Sequence, residues 1–172
     1  MAANSITKTA RYTAVWGGGY PRTTGANGKW LPIPTGHMAA YLSLGTSSSP
    51  DTSYNPSTTA DDLGVVIWNA VSTITVRKCR IWYAQGGSTN TTHALCLMRY
   101  DIDANGSLTN GAEVAGPDTD SGSDNVATLA FTDLTMTTDN VITSSQVLSA
   151  MVFCIDDMNN PFTAKCIIEY TM

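Results

Sequence analysis

Asp101, Asp103, Asn105 and Gly106, in the stretch DIDANGSLTNGAE, have the spacing that opens a helix-loop-helix calcium loop. The full pattern needs a bidentate Glu at the twelfth position, where this chain has Ala112, with Glu113 one residue late. The flanking ALCLMRY alternates like a strand rather than a helix. Asp and Asn tolerate left-handed backbone angles and Gly106 supplies positive φ freely, so the stretch reads as a hairpin turn. Asp101, Asp103 and Asn105 stay only as weak metal candidates, with Asp118, Asp120 and Asp124 nearby as further carboxylates. No metal is expected.

Other chemistry is thin. His37 and His93 are the only histidines, each at the start of a strand-like run, where a structural role suffices. No Gly-x-Ser-x-Gly elbow, phosphate-cradling glycine loop or zinc-type His pair is present. Asp61–Asp62 and Asp156–Asp157 are adjacent pairs, which on a strand point to opposite faces and make poor acid–base partners. The sequence therefore predicts no enzyme and no cofactor. Trp16, Trp30, Trp68 and Trp82, with seven tyrosines, admit a sugar-binding reading. Packing in cores and interfaces explains them as well, with Trp16 and Trp30 the strongest exceptions.

The four cysteines, Cys79, Cys96, Cys154 and Cys166, each sit in an apolar run and read as buried thiols acting as small hydrophobes. MAANSITKTARYTAV has no signal-like apolar segment, and no stretch is long enough to span a bilayer, so a membrane partner and export by a signal peptide are not expected. A net charge of −5 argues against nucleic acid, and Arg77, Lys78 and Arg80 read as ordinary solvent-facing charge.

The elements that must position all this are strands. Only 13% of the 172 residues are charged, while 25 threonines and 15 serines fill the surface. Thr suits a pleated face, and a hydroxyl is cheaper to cover than a charge. STITVRKCRIWYAQ is a long strand whose inward parity switches near Arg77 and Lys78, which predicts a bulge. HMAAYLSLG, LGVVIWNAV, THALCLMRYDI, VATLAFTDLTM and VLSAMVFCID follow the same habit. In FTAKCIIEYTM, Phe162, Ala164, Cys166, Ile168 and Tyr170 share one side. With no amphipathic helix in sight, the fold class over residues 36–172 is all-β, an antiparallel β-sandwich or barrel.

Residues 1–35 differ. ITKTARYTAV is a strand or an extended arm, and WGGGYPRTTGANGKWLPIPTG holds six of the fourteen glycines. This Gly/Pro-rich stretch is expected to be an extended N-terminal arm that packs on its own domain or on a neighbour. Tyr12, Trp16, Tyr20, Trp30, Leu31 and Ile33 are its candidate subunit- or capsid-interface residues.

VRKCRIWYAQGGSTNTTHALCLMRYDIDANGSL and VLSAMVFCIDDMNNPFTAKCIIEY, together with the Gly/Pro arm, resemble the small jelly-roll structural proteins of tailed bacteriophages. That group includes capsid decoration or cement proteins, head fibres and tail-fibre tips, and the likeness covers roughly residues 60–172. The resemblance implies a homo-oligomer, often a homotrimer, that docks on the major capsid protein and stabilises the virion after assembly in the host cytoplasm. It carries no catalytic residue. The competing readings are a receptor- or glycan-binding fibre module and a coat subunit of a small RNA virus. The latter expects a basic arm, and this one has only Lys8, Arg11, Arg22 and Lys29.

Overall fold

The computed structural model describes residues 10–20, 28–36, 50–53, 67–85, 93–120, 129–154 and 161–172. These residues hold ten strands and no helix: β1 (Arg11–Tyr20), β2 (Lys29–Pro32), β3 (Trp68–Asn69), β4 (Ile74–Gln85), β5 (His93–Ile102), β6 (Leu108–Asp120), β7 (Ala130–Leu134), β8 (Val141–Ile142), β9 (Gln146–Cys154) and β10 (Phe162–Thr171). The runs 37–49 and 54–66, including the expected strand HMAAYLSLG, lie outside the described residues, as do His37 and the paired acids Asp61–Asp62 and Asp156–Asp157.

Two antiparallel sheets form a sandwich. The first runs β1-β10-β4-β7, with β8 continuing β7 along β4; the second runs β2-β9-β5-β6, with β3 continuing β2 along β9. Counting each continuation with its parent gives eight ribbons, in the orders 1-8-3-6 and 2-7-4-5. The pairs 1-8, 3-6, 2-7 and 4-5 each sum to nine, as in a long hairpin rolled up so that 8 meets 3 and 7 meets 4: the jelly roll.

The sheets meet over one core containing Tyr20, Trp30, Ile81, Leu97, Tyr100, Val152, Phe162 and Ile168. The Tyr20 hydroxyl donates to the Pro32 carbonyl and so ties one sheet to the other. Along β10 the sequence alternation becomes geometry, with Phe162, Ala164, Cys166 and Ile168 buried and Thr163 and Lys165 exposed. The bulge falls where β4 switches parity: Glu169 pairs Lys78 and Tyr170 pairs Val76, so Arg77 has no opposite residue.

The supposed arm is the main correction. WGGGY is not irregular: it is the second half of β1, in unbroken register with β10 from Trp16↔Cys166 to Tyr20↔Phe162. Lys29–Pro32 is β2. The glycines make the fit possible. A Cβ on Gly18 would lie 1.8 Å from the Gly36 carbonyl oxygen, where the chain leaving β2 crosses β1 and Gly36 accepts a hydrogen bond from Gly19 N–H.

Strand β6 is a second difference, since the sequence offered only a hairpin turn and a few nearby carboxylates there. It pairs with β5 through three register shifts, and Asn110 (φ 51°) and Gly116 (φ 96°) adopt left-handed angles. On its far side, Gly116 N–H bonds the Thr135 carbonyl and Thr137 N–H bonds the Val114 carbonyl, clipping β6 to the segment after β7.

Candidate interaction surface

The six residues expected to dock on a partner divide sharply. Trp16, Tyr20, Trp30, Leu31 and Ile33 are all buried, the last three with no exposed area, and belong to the core of their own domain. They cannot also present an outward surface. Trp16 packs parallel to Trp68 at 5.8 Å, and its Nε1 is left without a hydrogen-bond partner. Trp30 packs on Phe153. Tyr12 alone is exposed, stacked on Tyr170 at 5.6 Å. Apolar side chains in a Gly-rich setting signalled burial correctly, but the burial is internal.

The DIDANG corner is a turn. Asp103 accepts hydrogen bonds from the N–H groups of Asn105 and Ser107, both at 2.8 Å, and Gly106 has φ 80°. Asp101 accepts from Asn110 Nδ2 and Gln146 Nε2, each at 2.8 Å. Those two hydrogen bonds hold its carboxyl below the usual carboxylate range. Asn105 contributes its backbone N–H rather than an oxygen, and Ala112, at the twelfth loop position, pairs with Arg99 in the β5–β6 ladder. Among the described residues no group of three or more His, Cys, Asp or Glu side chains is placed to hold a metal ion.

Cys79, Cys96 and Cys166 are buried and free, as expected; the Cys154 side chain lies outside the described residues, as does that of His93. Burial pushes the Cys96 and Cys166 thiols up, and the neighbouring Cys79, with its sulfur 3.8 Å from that of Cys166, pushes Cys166 further. They pack as small hydrophobes.

The surface with recognisable chemistry lies elsewhere, on the outward side of the β1-β10-β4-β7 sheet. Cross-strand register arranges it in rows. One row is Thr13, Glu169 and Lys78; the next is Val15, Ile167, Arg80 and Asp133; the third is Gly17, Lys165, Trp82 and Phe131. Trp82 and Phe131 touch with ring centres 4.7 Å apart, and the Arg80 guanidinium sits 4.5 Å over Phe131. Arg80 also grips Asp133 through both oxygens, at 2.5 and 2.6 Å, which raises the guanidinium pKa and lowers that of the carboxyl. Glu169 lies between Arg11 at 3.8 Å and Lys78 at 3.9 Å.

Apolar side chains run through the middle. Val15 is 50% exposed and Phe131 49%, with Leu129 at 64% on the rim. Trp82, Leu129, Thr163, Ala164, Lys165 and Ile167 line a shallow concavity of about 330 Å³. A rigid floor of four strands thus carries exposed aromatic and branched apolar groups with charges around them. Such a composition suits a protein interface, where an apolar centre sits inside a polar rim.

No protein-family model matches the chain, and no curated protein matches it. Among solved structures it is similar to the VP2 subviral particle of infectious bursal disease virus, with a TM-score of 0.41 and 10% identity over 96% of this chain and 33% of that one. It is similar also to the structure of the Gx strain of that virus, with a TM-score of 0.40 and 10% identity over 96% of this chain and 32% of that one. These neighbours are viral particle proteins, and the chain spans about a third of their length.

Proposed function

We propose that this chain is a structural, non-enzymatic component of a virus particle, of the decoration or cement type. It would associate with its own copies and dock on the outside of a tailed-phage shell, on the major capsid protein, without contacting nucleic acid or membrane. One observation carries the reading: a jelly roll with the central strands of one sheet buried on both sides and the other sheet offering a four-stranded apolar and charged outward face. The resemblance of its strand runs to phage decoration proteins supplies the kind of partner. The buried residues of the supposed arm take no part in docking.

A second reading has its own support. Trp82 beside Lys165 and Thr163 in the shallow concavity offers an aromatic ring next to polar donors, the setting of a receptor- or glycan-binding fibre module.

Co-sedimentation with purified phage shells stripped of their decoration proteins tests the first reading, and a glycan array tests the second. Saturable binding to a shell, lost in a Phe131→Asp variant that still folds, is expected. Failure to bind any shell, with a sugar captured at Trp82, would replace the first reading by the second.

A further inference from the structure

We infer that the outward face of the β1-β10-β4-β7 sheet receives the acidic surface of a second copy of this chain, head to tail, so that copies close into a ring of three or more. The inference names an occupant for the face on which the proposed function rests.

Charge partition carries it. Among the described residues the face holds Arg11, Arg77, Lys78, Arg80 and Lys165 against Asp133 and Glu169, five cations to two carboxylates, a net of +3. Among the described side chains off this face, Lys29 and Arg99 stand against Asp51, Asp101, Asp103, Glu113 and Asp139, two cations to five carboxylates, a net of −3. More than half of the cations of an acidic protein are gathered on one side of one sheet.

The consequence is directional. A twofold dimer would pair this face with itself and set +3 against +3 around an apolar centre, where like charges oppose docking. The face against the remainder of a neighbour is attractive. The complement gathers around the β5–β6 hairpin of the other sheet: Asp101, Asp103 and Glu113 lie on it, and Asp51 and Asp139, from neighbouring segments, lie beside it, with Arg99 the only cation among the described residues there. Because the two surfaces belong to different sheets, one copy can engage two neighbours at once, and such a heterologous contact closes only as a cyclic ring.

Size is adequate. Four strands about 4.8 Å apart and ten residues rising about 3.4 Å each make a face of roughly 650 Å², close to the ~800 Å² one partner contributes to a standard interface. Val15, Ile167, Trp82 and Phe131 give it the apolar centre that charges alone would lack.

The test uses the full chain and two charge-reversed variants. Lys78→Glu with Lys165→Glu alters the face, and Asp51→Lys with Asp139→Lys alters the acidic side; circular dichroism and thermal melts verify that both fold. Sedimentation velocity at low salt should give a closed oligomer for the unaltered chain, weakening as salt rises. Each variant alone should associate about tenfold more weakly or worse. Mixed, the two variants should form a one-to-one dimer, since one intact face then meets one intact acidic surface. A monomeric unaltered chain, a dimer that both variants retain, or a mixture that restores nothing would overturn the inference. The shell experiment separates the two claims: a ring that ignores shells sinks the decoration reading alone, and a monomer that binds shells sinks the ring alone.

Discussion

The two sheets of this sandwich are built from similar strands and treated oppositely. In the β2-β9-β5-β6 sheet, Leu95, Cys96, Leu97 and Met98 are consecutive and all buried, and so is every residue from Gln146 to Val152. A strand buried at both parities is covered on both faces, which is why ALCLM and VLSAMV read as continuous apolar runs. Pro50–Ser53 packs against this sheet, with the Thr52 carbonyl accepting from Gly111 N–H at 2.7 Å and the Asp51 carbonyl from the Tyr100 hydroxyl at 2.9 Å. In the β1-β10-β4-β7 sheet, by contrast, β10 and the middle of β4 alternate buried and open positions. The central strands of one sheet are committed to stability on both sides; the other sheet keeps a face for something outside the molecule.

Breaking that contrast should be easiest in the covered sheet. Leu97→Ala removes a side chain with no exposed area and should cost about 2–5 kcal/mol by denaturant unfolding, whereas Ile167→Ala on the open face should cost less than about 1 kcal/mol. Equal costs would mean the open face is covered too.

Close crossings come next. Gly18→Ala must displace the Gly36 carbonyl, and Gly111→Ala must displace the Tyr100 ring, 2.7 Å from the new Cβ, and Thr52. Each should lower stability by about 1–3 kcal/mol, seen as a reduced Tm.

Tyr100→Phe removes the hydroxyl that holds Asp51 to the covered sheet and should cost about 1–2 kcal/mol, measured by chemical denaturation. Burial raises the pKa of that phenol far above its ordinary value, so it stays a neutral donor throughout the working pH range.

On the open face, Phe131→Ala loses the Trp82 ring and the Arg80 cation and should cost only about 0.5–1.5 kcal/mol of stability while abolishing docking. The smallest effect is expected at Asp101. Its folded pKa lies below the unfolded value, so its contribution is present above the ordinary carboxylate pKa and lost as pH falls through the folded value. The stability gap between the unaltered chain and Asp101→Asn, followed by thermal melts, should therefore close under strongly acidic conditions.

Much of the fold was legible. Periodicity marked β4, β5, β9 and β10, and the parity switch at Arg77 located a bulge before any partner strand was known. Where glycine or asparagine interrupted the alternation, the strands were hidden. β1 runs through Gly17–Gly19 and β6 bends at Asn110 and Gly116, positions whose role depends on what crosses them rather than on their neighbours in sequence. The candidate surface was less visible still. Arg77, Lys78 and Arg80 looked like ordinary surface charge, because Arg80 and Asp133 are 53 residues apart and only the β4–β7 register brings them together. Trp82 and Phe131 carry no motif. Register, which composes the rows of the open face, is a long-range property with no local signature.

Whether the open face meets protein is tested most directly by photo-crosslinking from a benzophenone side chain at Ile167, with Val71, 96% exposed and off that face, as the comparison site. In assemblies with shells or with further copies, Ile167 is expected to crosslink to protein and Val71 is not. Crosslinking from Val71 alone, with Ile167 reacting only with solvent, would contradict it.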